Sequence, residues 1–276
     1  MKTASVIIRT KNEAGGIRAT LDAVFGQELA PHQVFVIDSG SRDATLEIAS
    51  RYPVHIRRID PREWSYSRAL NVCAEEATGE FIVCLSAHCP PIHRDWLTKL
   101  LRHFDDPKVA AVWGPNLSPG RHRFEGGPPI RQDPGTYNAD TRLFGLVNSN
   151  SALRRSLWLE FPFDESLPAT EDKAWGMEAM ARGYSLVHDP EAAVWHIRHP
   201  PLMSFRRNRA VMAGYAILFP ELARARENPL WVLVRGTWKK VLFHVRARDA
   251  SKLWLDLRSA PSTLAAIFGN FFGGKA

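Results

Sequence analysis

The chain has 276 residues, 45% of them hydrophobic and 24% charged, an ordinary globular composition for one sizeable domain or a domain with a smaller appended part. No repeat or low-complexity tract is visible, no window approaches the roughly 18 apolar residues that span a bilayer, and the opening Met1–Arg9 stretch is too short in apolar residues for a signal peptide, so the expected compartment is the cytoplasm. The net charge of +7 is unevenly placed: residues 1–201 hold 23 Lys and Arg against 25 Asp and Glu, whereas residues 202–276 hold 13 against 4, which makes the last quarter a basic segment of its own.

In chain order, Ser5–Arg9 reads as a strand and Thr10–Gly16 as a polar turn. Ile17, Leu21, Val24 and Phe25 then recur at helical spacing. Val34–Ile37 is a second strand, ending at Asp38-Ser39-Gly40-Ser41. A helix is expected over Asp43–Tyr52, a short strand over Val54–Ile56, and a further helix over Ser67–Ala77, stopped by Thr78-Gly79. Phe81–Leu85 is the next strand, followed by Ser86-Ala87-His88-Cys89 and two prolines. The strands are continuous apolar runs rather than alternating ones, the pattern of a mostly parallel sheet covered on both faces. Such sheets bind ligands at the carboxyl ends of their strands. That brings the loops at Thr10–Glu13, Asp38–Ser41 and Ser86–His88 to one edge.

Residues 116–137 are rich in Pro, Gly, Arg and His and read as a long loop, mobile or functional. Residues 144–153 return to the sheet. Glu171–Arg182 reads as a helix ended by Gly183, and Tyr184–Val187 as a strand. Beyond Pro201 the chain reads as helical, basic and tryptophan-rich, with Trp231, Trp238 and Trp254. Two parts are therefore expected: residues 1–201 and a basic helical extension, 202–276.

Three cysteines, Cys73, Cys84 and Cys89, do not suggest a disulfide framework. Cys84, His88, Cys89 and His93 do not follow a standard zinc spacing, and Cys84 falls inside a strand. Glu171-Asp172 opens a helix, where acids are favoured on electrostatic grounds alone.

Taken together, "SVIIRTKNE", "VFVIDSGSRDAT", "WSYSRALNVCAEEATGEFIVCLSAH" and "LPATEDKAWGMEAMARGYSLVHDPEAAVWH" resemble, in order and spacing, the family-2 glycosyltransferases of the nucleotide-sugar-dependent GT-A fold. The resemblance covers about residues 4–200. It implies an α/β catalytic domain over 1–201 and an inverting hexosyl- or deoxyhexosyltransferase. The donor would be a nucleotide-diphosphate sugar and the acceptor a glycan or lipid-linked saccharide, as in surface polysaccharide synthesis. By the same resemblance Thr10, Glu13, Asp38, Arg68 and Ser86 bind the donor. Asp172, with Glu171 beside it, takes the proton from the acceptor hydroxyl.

The family's Asp-x-Asp metal motif falls on Ser86 and His88, so both carboxylates are missing. His88 and His196 are then the candidate metal ligands, with His199 nearby in sequence. Imidazole suits Mn²⁺ better than Mg²⁺, so the expected activity either prefers Mn²⁺ or needs no metal. The missing carboxylates also fit an alternative, a catalytically inactive binder of nucleotide sugars or glycans. The basic extension is expected to pack on the core or to meet anionic lipid at the inner face of the cell membrane. No nucleic-acid motif is present, and no nucleic-acid partner is expected.

Overall fold

A computed structural model describes residues 2–120, 124–134, 145–197 and 201–220. The expected tail with Trp231, Trp238 and Trp254, and the residues His199 and Phe144, lie outside these. The chain divides into two compact units, Met1–Leu167 with Glu171–Arg198, and Pro168–Thr170 with His199–Ala276.

The first unit runs β1 (Ala4–Thr10), α1 (Ile17–Phe25), β2 (Gln33–Asp38), α2 (Thr45–Ala49), β3 (His55–Arg58), α3 (Tyr66–Glu76), β4 (Phe81–Ser86), α4 (Trp96–Arg102), β5 (Val109–Trp113), β6 (Asn116–Leu117), β7 (Ile130–Gln132), β8 (Asn150–Arg154), α5 (Arg155–Glu160), α6 (Glu171–Ala181), β9 (Ser185–His188) and β10 (Val194–Trp195). An eight-stranded sheet has the order β3-β2-β1-β4-β8-β5-β9-β7, and β10 pairs with β6 apart from it. The strands β3, β2, β1 and β4 are parallel neighbours, as the continuous apolar runs imply. Strand β8 enters antiparallel between β4 and β5, and β7 closes the edge antiparallel to β9.

Successive residues of a strand face opposite sides of the sheet, and here both sides are dry. Val6, Ile8, Val34, Val36, Val83 and Leu85 pack with Ile17, Leu21 and Val24 of α1 and Trp96 and Leu100 of α4. Ile7, Phe35, Ile37, Ile82 and Cys84 pack on the other side with Leu70, Cys73 and Ala74 of α3 and with Trp158 and Trp175. Burying such aliphatic side chains contributes about 1.5–3 kcal/mol each. This two-sided burial explains why the strands carry no polar alternation.

Several elements differ from the sequence reading. Helix α2 covers only Thr45–Ala49 of the expected Asp43–Tyr52, because Asp43 is spent on holding the neighbouring loops. The 116–137 loop contains β6 and β7. Helix α4 and strand β5 have no counterpart in that reading. Gly183, at φ 86°, ends α6 as expected. At the end of β5, Gly114 has no room for a side chain. A Cβ there would run into the Ala192 carbonyl and come within 2.8 Å of Asn150 Nδ2, the amide that donates to that same carbonyl at 2.8 Å.

In the second unit, helix α7 spans Pro201–Leu218. Its Gly214 lies against the backbone of Ala169, where a Cβ would approach to 2.5 Å. No helix among the described residues is long and apolar enough to cross a membrane.

Candidate active site

The parallel register aligns Thr10 with Asp38 and Arg9 with Ser86. The carboxyl ends of β1, β2 and β4 therefore share one edge, as the sequence predicts. The loops after β1 and β2 are stitched together by side chain–backbone bonds. Asn12 N–H donates to Ser41 Oγ at 2.8 Å, and Asn12 Oδ1 accepts from Arg42 N–H at 2.8 Å. Glu13 N–H donates to Thr45 Oγ1 at 2.7 Å and Ala14 N–H to Asp43 Oδ2 at 3.0 Å. Asn12 tolerates φ 55° here because a short amide side chain is among the few that adopt it readily. Asp38 is buried, and Oδ2 accepts from the N–H groups of Gly40 and Ser41 at 3.0 and 2.9 Å, while Oδ1 accepts from Ser41 Oγ. Its carboxylate thus shapes its own loop, whatever else it binds. Thr10 Oγ1 is buried at the same edge and has no hydrogen-bond partner among the described residues. A buried hydroxyl in that condition is costly unless a ligand or water satisfies it.

After β4, His88 Nδ1 lies 2.9 Å from Glu13 Oε1. The His88 and His196 rings meet edge to face with centroids 4.9 Å apart. His196 follows directly after β10, in a segment held by Trp195 N–H to Pro90 O at 2.9 Å and Ile197 N–H to His88 O at 3.1 Å. The ligand atoms of His88, Cys89 and His196 lie within 4.8 Å of one another. Cys84 is not with them. It sits in the interior of β4, where burial pushes its thiol up to about 12. His93 packs its ring on Phe124 instead. Among the described residues no disulfide forms.

The first turn of α6 is fastened to the same edge. Arg9 Nη1 pairs with Glu171 Oε1 at 3.1 Å, and Arg9 Nη2 donates to the Asn148 carbonyl at 3.3 Å. Asn148 N–H donates to Asp172 Oδ2 at 3.1 Å. The next residue, Ser149, accepts from Ser86 N–H at 3.3 Å. Burial pushes the Glu171 carboxyl up, and the Asp172 charge adds to this against the pull of Arg9. Glu171 is buried, whereas Asp172 is half-buried. Lys173 is pulled down by burial and donates to the Gly145 carbonyl at 2.7 Å, a further clamp on this helix end.

The edge thus gathers Thr10, Glu13, Asp38, Ser86, His88 and His196, with Glu171 and Asp172 tied in through Arg9 and Asn148. Arg68 begins in the expected place, in the first turn of α3 capped by Ser65. Its guanidinium lies against Glu165 at 3.4 Å and Glu63 at 3.7 Å, two carboxylates that compete with any diphosphate for it. The sequence pattern does not mark Arg9, Asp43, Asn148 and Cys89 for the edge. Arg9 was readable as a lone cation at the end of an apolar strand. Asn148 follows Val147 and opens a short polar run with Ser149 and Asn150, and gives no such signal.

The chain is similar to known proteins in sequence and in fold. The sequence pattern of Glycosyl transferase family 2 covers residues 5–159. The chain is 28% identical over 222 residues, 74% of its length, to an O-antigen chain rhamnosyltransferase (RfbN) of Salmonella typhimurium, and spans 69% of that protein. It is 26% identical over 248 residues to the glycosyltransferase AglE of Haloferax volcanii, covering 83% of this chain and 80% of that one. In fold it is similar to the mannosyltransferase PcManGT of Pyrobaculum calidifontis, solved with GDP-Man and Mn²⁺. The TM-score is 0.63 at 17% identity, over 99% of this chain and 88% of that one. With more than half of the chain matched by the family's own pattern, and the strand-end loops in place, the protein is a glycosyltransferase belonging to Glycosyl transferase family 2.

Proposed function

We propose that the enzyme moves a hexose or deoxyhexose from a nucleotide-diphosphate sugar to a glycan or lipid-linked saccharide, with inversion at the anomeric carbon, in surface polysaccharide synthesis. The observation that carries this reading is one half-buried carboxylate, Asp172, set beside a fully engaged one at the sheet edge. Glu171 is buried and paired with Arg9, which suits it to positioning the helix rather than to meeting substrate. Asp172 accepts from two neutral backbone donors, Asn148 N–H on Oδ2 and Lys173 N–H on Oδ1, and stands outside the Arg9 pair that holds Glu171, which leaves it the better placed of the two to accept a proton.

In the proposed step the acceptor hydroxyl gives its proton to Asp172. Its oxygen bonds to the anomeric carbon from the side opposite the diphosphate. The bond from that carbon to the diphosphate oxygen breaks, and the nucleoside diphosphate leaves with the electron pair. Thr10, Glu13, Asp38 and Ser86 line the donor side, the unpartnered Thr10 hydroxyl among them.

The donor set at the missing Asp-x-Asp motif fits a divalent cation of borderline character. His88 and His196 offer imidazole nitrogens where a hard ion prefers oxygen. A bound dication would supply charge to the departing diphosphate, and Mn²⁺ is proposed over Mg²⁺. The basic extension, residues 202–276, is proposed to meet anionic lipid and so bring the enzyme to a lipid-linked acceptor.

The test is Asp172→Asn. Transfer should fall by at least roughly 100-fold, the scale of general base catalysis, while calorimetry shows the donor still bound. Near-normal turnover would move the proton acceptor elsewhere, first to Glu171.

A further inference from the structure

We propose that His88, Cys89 and His196 form a site for a thiophilic dication, holding Zn²⁺ or Co²⁺ more tightly than Mn²⁺, with Glu13 as its orienting carboxylate. Three observations carry this.

First, the three ligand atoms already lie within 4.8 Å of one another, and backbone bonds fix that spacing. Cys89 N–H donates to Ser86 O at 2.9 Å, which closes a turn behind β4, and Ile197 N–H donates to His88 O at 3.1 Å, which ties β10 to it. Little backbone entropy remains to be lost when an ion binds.

Second, Glu13 Oε1 stands 2.9 Å from His88 Nδ1. A carboxylate there favours the hydrogen on Nδ1 and leaves Nε2 as the lone-pair atom. Metal-bound histidines are typically oriented in this way.

Third, the donors are two imidazoles and a sulfur. Cys89 is fully buried. Two nitrogens and a thiolate suit Zn²⁺ or Co²⁺, and among divalent ions Mn²⁺ stands lowest for such ligands. Binding releases the Cys89 thiol proton to solvent, since the thiolate is the ligand.

Three protein ligands leave the fourth position of a tetrahedral ion open. That a donor diphosphate oxygen takes it rests on the donor site proposed above. The metal site itself does not.

The full chain, stripped with chelator, is titrated with Co²⁺ and followed by absorption. The expected spectrum has intense tetrahedral d–d bands and a thiolate-to-cobalt charge-transfer band in the near ultraviolet. One equivalent of Zn²⁺ should abolish both, and Mn²⁺ in large excess should not. Cys89→Ser should lose the charge-transfer band, and Cys73→Ser should keep it. Glu13→Gln should weaken Zn²⁺ by about 10–100-fold, the usual effect of an orienting partner. Should Cys89→Ser fail to fold, the wild-type band and the Glu13→Gln affinity decide the matter. Cobalt binding without the charge-transfer band, or displacement of Zn²⁺ by equimolar Mn²⁺, would overturn the proposal. Adding a nucleoside diphosphate should shift the d–d bands. No shift, with the charge-transfer band present, refutes the diphosphate ligand alone.

Discussion

His88 Nδ1 stands 2.9 Å from Glu13 Oε1, so the position that the family resemblance assigns to a metal-binding aspartate is already joined to a carboxylate from the first loop. His88→Asp would set two carboxylates side by side. Without a cation they repel, and a hard dication relieves that repulsion. The variant is expected to melt lower than wild type in chelator and to regain stability in Mg²⁺, which should leave wild type unmoved. A variant indifferent to Mg²⁺ would show that Glu13 and residue 88 do not share a cation position.

Asp38→Ala removes the acceptor for the Gly40 and Ser41 N–H groups. The loss should be about 1–3 kcal/mol, the usual range for a buried donor left unsatisfied, with the sheet intact by circular dichroism. Binding of uridine, thymidine or guanosine diphosphate sugars should weaken with it. Unchanged affinity by calorimetry would move the nucleotide pocket away from β2.

A pH dependence follows from Asp189, a fully buried carboxylate after β9. Its Oδ2 meets His103 Nε2 at 2.7 Å and Arg102 Nη2 at 2.8 Å, and its Oδ1 accepts from Glu191 N–H at 2.9 Å. Burial pushes the carboxyl up, but the His103 and backbone bonds and the Arg102 charge outweigh it and hold the group below its ordinary 3.8. A lowered carboxylate stabilises the fold fully above the unfolded value and loses that contribution as pH falls through the folded one. Asp189→Asn should therefore cost about 1.5–3 kcal/mol at neutral pH, as charged hydrogen bonds do. In urea melts the gap to wild type should narrow below pH 3.8. A gap independent of pH would mean that the charge contributes nothing.

Residues 202–276, with 13 basic and 4 acidic side chains, should bring the protein up with anionic vesicles in a flotation gradient at low salt. Neutral vesicles, or anionic ones at high salt, should leave it behind, since screening weakens such attraction. Failure to float at low salt removes the membrane role.

The sequence makes the half-parallel core legible because burial on both faces forces continuous apolar strands, and β1, β2 and β4 all show it. The edge they share follows from topology, which is why Thr10, Glu13, Asp38 and Ser86 could be grouped in advance. What escaped is set by pairings between distant segments. Nothing near Cys89 signals that His196 will join it, since β10 reaches there by pairing with β6. Asp43 reads as a helix opener, yet it holds Ala14 across a neighbouring loop. Arg68 reads as a free cation until Glu165 folds against it. Val109–Trp113 is a short run that a helix interior would fit as well as a strand.

The antiparallel strand β8 also has a kinetic meaning. Strands β1, β2 and β3 pair with their neighbours in sequence, but β4 must bring Phe81 back to Ala4, and β8 must bring Arg154 to Phe81 before it can be flanked by β5. Closing those long loops costs chain entropy early and returns contacts late. Asn148 and Ser149 ride at the start of β8, and the first turn of α6 hangs on Asn148. In stopped-flow refolding, far-ultraviolet dichroism should recover before the chain can bind nucleotide. The half of the sheet bearing Thr10 and Asp38 would form first, and the carboxylate pair would dock last.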